Sequence, residues 1–146
     1  HPYNISLFSS LVAHHGEEWF ENYIVKLKAN LARKPQGNDR DQVKAIYAGV
    51  CDLSIGNHYY YFKMMDDPNQ IVWIDKVSPI FPNQDNYGTH VNISGIAIIN
   101  DENYDASIDF LDFLLSDEAQ EIYANDNNEF PVNPNVSASE STKISK

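Results

Sequence analysis

Several things are scarce in this 146-residue chain, and each scarcity excludes something. There is one cysteine, Cys51. A single thiol cannot close an internal disulfide, so no cystine framework supports the fold and the redox compartment stays open. Its setting in an apolar run reads as an inert buried thiol rather than a reactive one. Basic residues are few: 10 Lys and Arg stand against 21 Asp and Glu, a formal net charge of −11. That balance repels nucleic acid and anionic membrane surfaces and draws cations at long range. No run of about 18 apolar residues occurs, so no membrane-inserted helix is expected. No Gly-rich phosphate loop, nucleophile elbow or CxxC pair is present, and no Ser-His-Asp arrangement can be argued. An enzymatic reading therefore has no residues to rest on. The chain begins at His1 without Met, shows no signal peptide, and has a polar stretch over 137–142. It reads as a piece of something longer.

What is present is organised around Ile55-Gly56-Asn57-His58-Tyr59-Tyr60-Tyr61. The preceding run, 50–55, predicts a short buried strand closed by Gly56. The following residues, 62–67, have helix-forming composition until Pro68. Asn57 then falls at a helix N-cap, with Tyr59 and Tyr60 in the first turn. Neighbouring side chains on a helix diverge by about 100°, so two phenols would approach one ion from different sides. The helix N-terminus carries partial positive charge and favours phenolate over phenol. Hard, highly charged cations prefer such oxygen donors, and a bound ion can deprotonate a group whose free pKa is about 10. Three adjacent tyrosines more often fill the edge of a core or line a sugar-type pocket than bind metal.

Hydrophobic content of 42% in a chain of this length predicts a folded domain that buries roughly 70% of its unfolded surface. Apolar periodicity predicts a helix over 4–15 ended by Gly16, and a second over 17–31. Asp39-Arg40-Asp41-Gln42 reads as a capping box opening a helix that runs to Gly49. Residues 77–82 read as an extended edge segment with prolines. Residues 90–99 alternate convincingly as a strand, followed by helices over 104–115 and 117–125. Helices alternating with short apolar strands predict an α/β fold. His14 and His15 read as a helix C-terminal cap and His90 as a hydrogen-bonding residue at the start of its strand. Asp66-Asp67 and Asp101-Glu102 read as turn and helix-start charges.

The order and spacing of a longer set of motifs resembles the periplasmic ferric-ion-binding proteins of ABC iron importers. The matching text is Pro2-Tyr3-Asn4, Pro35-Gln36-Gly37-Asn38-Asp39, Ala48-Gly49, residues 52–57 and Tyr59-Tyr60. It continues through Phe81-Pro82-Asn83-Gln84, residues 88–95, residues 110–116, Glu118-Ala119-Gln120 and Glu129-Phe130-Pro131-Val132. The resemblance implies a type II periplasmic-binding-protein fold of two lobes. Residues 1–88 would form the second lobe, with the tyrosine site. Residues 89–125 would be the strand and helices that cross to a first lobe absent from this text, and 126–146 a return segment and polar tail.

It also implies Fe³⁺ as cargo, periplasmic location, and delivery to an ABC permease in the inner membrane. Tyr59 and Tyr60 land on the family's tyrosine pair, and Tyr3 on a third tyrosine used by one branch; the first lobe would supply the remaining ligands. Asn57 and His58 flank the site as supporting residues, while Tyr61 falls at a variable position and reads as packing. Two other readings stay open: a binding protein for an organic cation or sugar that stacks on the tyrosines, and an interaction fragment without a small ligand.

Overall fold

The computed structural model describes residues 1–99 and 102–142. Asp101, one of the acidic pair read as a helix-start charge, lies outside them, as do residues 143–146 of the tail. The chain forms two compact units, one of His1–Gln36 with Pro79–Ser94, the other of Gly37–Ser78 with Gly95–Lys146.

In the first unit, α1 (Pro2–His15) and α2 (Glu17–Ala29) are separated by one residue. Pro2 occupies the first turn of α1, where its missing N–H costs nothing. Gly16 sits at φ 85°, a left-handed conformation that ends α1 and begins α2. Glu17 and Glu18 at the start of α2, with Lys26 and Lys28 at its end, match the helix dipole. Phe8 and Phe20 join the two helices, their ring centroids 5.6 Å apart. Residues 79–94 are tied to α1 by His90 Nε2, 3.1 Å from Ser6 Oγ, and by Tyr87 stacked on His14 at 4.5 Å. His15 stacks on Trp19 at 4.2 Å. The two histidines at the end of α1 thus rest on aromatic rings.

The second unit contains α3 (Asp39–Tyr47), α4 (His58–Met65), α5 (Tyr104–Leu115) and α6 (Asp117–Asn127), with single 3-10 turns at Ile71–Trp73 and Glu140–Thr142. A capping box does open α3, one residue earlier than the spacing predicts. Asn38 Oδ1 accepts from the Asp41 N–H, and Asp41 Oδ2 accepts from the Asn38 N–H. Asn38 prevails because it lies outside the helix with extended backbone, whereas Asp39 is already its first helical residue. At the other end Gly49 lies at φ 70°. Its N–H reaches the Ile46 carbonyl and the Val50 N–H the Ala45 carbonyl, both at 2.9 Å. This is a Schellman closure, so the helix stops two residues short of Gly49. The buried apolar side chains of this unit are Val43, Ala45, Phe62, Met64, Ala119 and Ala124.

The α/β expectation is not confirmed by the elements present. Among the described residues every regular element is helical, and 50–55, 77–82 and 90–99 carry no strand. Alternating apolar residues make a segment fit for a sheet, but a strand exists only when a neighbour completes its hydrogen-bond ladder. No described segment meets such a neighbour. The buried strand expected at 50–55 is instead exposed: Leu53 shows 76% of its surface to solvent. Ile93 and Ile99 in the third segment are more exposed still. No described helix is long and apolar enough to cross a membrane.

Candidate functional site

Asn57 stands just before α4, as its position after Gly56 predicts, but its side chain does not cap that helix. It turns back to α3. Asp39 Oδ1 accepts from both the Asn57 N–H at 2.7 Å and its side-chain Nδ2 at 3.1 Å. One carboxylate at the start of α3 therefore pins the chain where α4 begins. Gly56 leaves room for this, since a Cβ there would lie 3.3 Å from the same oxygen.

His58, Tyr59 and Tyr60 form the first turn of α4, all partly buried. The rings of Tyr59 and Tyr60 lie 4.3 Å apart at 35°. Their side chains thus converge, although the helix turn alone would splay them. The Arg40 guanidinium lies over the Tyr60 ring, 5.3 Å from its centroid, and a cation is drawn to that face. The Arg40 Nε is buried without a hydrogen-bond partner among the described residues.

His58 meets the Tyr59 ring edge-on, with centroids 5.9 Å apart, and reaches on to the end of α6. Its Nε2 lies 2.9 Å from the Asn128 carbonyl, so that nitrogen carries the proton and donates. Its ring leans on Phe130 at 4.9 Å. Burial holds the imidazole below its ordinary pKa, against the raising influence of the Asn128 carbonyl and the Glu129 carboxylate. His58 therefore anchors α4 to the end of α6. Tyr61 is likewise structural: its hydroxyl donates to the Val77 carbonyl at 2.9 Å, and burial raises its pKa.

Tyr3 belongs to the first unit, in the opening turn of α1, with its ring 4.5 Å from that of His1. About a third of its surface is open, 36% of the maximum. Among the described residues no group of three or more His, Cys, Asp or Glu side chains is gathered in a way that could hold a metal.

Three residues that shape the site are not singled out by sequence reasoning. Asp39 and Arg40 follow the Gly37-Asn38 turn and read only as helix-start residues; their partners lie about 20 positions on. Asn128 ends a polar run and has no periodic signal. It adopts φ 56°, is 1% exposed, and accepts on Oδ1 from Ser139 Oγ at 3.1 Å and Ser141 Oγ at 2.6 Å. Asparagine tolerates that left-handed backbone better than other side chains.

The chain matches no protein-family model. It is 45% identical over 139 residues to iron uptake protein A2 of Synechocystis sp., a match covering 92% of this chain and 40% of that protein. Among solved structures, apo ferric ion-binding protein A of Pasteurella haemolytica superposes with a TM-score of 0.91 at 46% identity, over 97% of this chain and 44% of that one. The Trichodesmium protein called IdiA or FutA, solved with iron and citrate, gives 0.89 at 41% identity, over 97% and 46%. Along nearly its whole length the chain is a homologue of these ferric-ion-binding and iron uptake proteins, and it spans less than half of each.

Proposed function

We propose that this chain serves ferric-ion capture, with the phenolate oxygens of Tyr59 and Tyr60 as ligands and that of Tyr3 as a third. The observation that carries the reading is the converging pair in the first turn of α4, within a chain homologous to proteins named for ferric ion. Phenolates are hard oxygen donors, the kind a small trivalent cation selects. Three of them cancel the charge of the ion itself. The start of α4 adds about 0.3–1 kcal/mol for each favourably placed negative charge. The role of Tyr3 rests on sequence resemblance.

In the same reading the protein is a solute-binding component and not an enzyme. It works in the periplasm and delivers iron to the permease of an ABC importer. Its fold is the type II periplasmic-binding-protein fold, with residues 1–88 as second lobe, 89–125 crossing to a first lobe, and 126–146 returning. That first lobe supplies the remaining ligands. A stacking platform for an organic cation or sugar fits less well, because Arg40 already lies over the Tyr60 ring and the Tyr59 ring leans on it.

Titration with ferric nitrilotriacetate, followed by visible absorbance, tests the reading. A phenolate-to-iron charge-transfer band should grow to saturation. A protein that stays colourless under full loading would return the tyrosines to a stacking or packing role.

A further inference from the structure

The geometry points to Arg40 as a positioning residue for Tyr60, one that also lays a permanent positive charge against the ring of a metal-binding phenolate. This rests on the ferric reading above and deepens it. A guanidinium 5.3 Å from the ring centroid is within the range where the ring quadrupole and a cation attract. Arg40 is partly buried, and its Nε has no hydrogen-bond partner among the described residues, so its field is less screened than that of a fully solvated side chain.

The neighbouring carboxylates are committed elsewhere. Asp39 holds Asn57, and Asp41 takes the Asn38 N–H and pairs with Lys44 at 3.9 Å. Asp67 accepts from the Asn69 N–H at 2.8 Å and from the Gln70 side chain. Among the described residues none forms an ion pair with Arg40; Asp67, its pKa lowered chiefly by the Asn69 N–H, also feels the Arg40 charge, but the group the guanidinium lies over is the Tyr60 ring.

Two consequences follow. The guanidinium fixes where the Tyr60 ring lies, and hence how it meets Tyr59. It also stabilises the electrons of the phenolate ring, from which charge transfer to iron draws. For an ion bound at the hydroxyl, off the ring face that the guanidinium covers, the donor orbital would be lowered more than the acceptor. Transfer then needs more energy than it would without Arg40.

The test is the charge-transfer band of the iron-loaded chain, with iron supplied as ferric nitrilotriacetate. Arg40→Met removes the charge and keeps the length, and the band should move to longer wavelength. Arg40→Gln gives the same comparison if the methionine variant folds poorly by circular dichroism. Arg40→Lys keeps the charge and should restore the band most of the way. Lys44→Met is the control, since Lys44 lies over the Trp73 ring at 4.3 Å on the same helix and should leave the band in place. A coloured parent whose band is unmoved in both neutral variants overturns the role of Arg40 alone. An equal shift in the Lys44 variant also overturns it, by showing a general charge effect. A colourless parent overturns the ferric reading and this inference together.

Discussion

Replacing a single hydroxyl separates the three tyrosines of α4. Tyr59→Phe and Tyr60→Phe each remove one candidate ligand oxygen and keep the ring, so folding should change little while ferric binding falls steeply. Absorbance titration of the two variants checks this, and retention of full affinity by both would remove the assignment. Tyr61→Phe is the matched control. It loses the bond to the Val77 carbonyl, so it should bind iron normally yet unfold about 0.5–1.5 kcal/mol more easily in denaturant. Proton release gives a second measurement at this scale. Each phenol must deprotonate to bind, so ferric affinity should fall as pH falls, with protons released on loading. A flat profile from neutral to mildly acid pH would count against phenolate ligation. The tyrosine pair was legible because Gly56, Asn57 and the helix-forming run after them fix its place on a helix. Arg40 was not, because a cation over a ring 20 positions away leaves no local pattern.

At the scale of elements, the helices were legible and the strands were not, for one physical reason. Helix signals are local: Pro2, Gly16, the Asn38–Asp41 box and the Ser116 cap each act within one turn, and Tyr104–Leu115 appears with the bounds its periodicity predicts. Residues 50–55 and 90–99 have the composition of strands, but a ladder needs a partner that local pattern does not supply. The coupling of α3 to α4 is equally non-local and can be measured. Asn38→Ala removes the cap of α3 and should cost about 1 kcal/mol. Asp39→Ala breaks both bonds to Asn57, in which the acceptor is charged, and should cost about 1.5–3 kcal/mol in denaturant unfolding. If Asp39→Ala were the milder of the two, the link between α3 and α4 would be incidental.

For the molecule as a whole, the prominent quantity is apolar surface left in water. In the second unit, Ile96–Ile99 and the α5 side chains Phe110 and Leu111 line an open apolar cavity of about 350 Å³. Burying such side chains is worth on the order of 1.5–3 kcal/mol each, against a typical total stability of 5–15 kcal/mol. The isolated chain should therefore self-associate or hold 89–125 loosely. Light scattering and hydrogen exchange over that segment decide it, and a monomer with strong protection throughout would show that the chain completes its own core. The contacts that seat α4 carry a different consequence, one about time. Asp39 meets Asn57 across 18 positions, whereas His58 reaches Asn128 across 70 and Lys63 reaches Asn127 across 64. Short loops close at smaller entropic cost than long ones. In refolding, then, the start of α4 should meet α3 before it meets the latch at Asn127 and Asn128. The turn that carries Tyr59 and Tyr60 would then be seated in two stages, with the end of α6 arriving last.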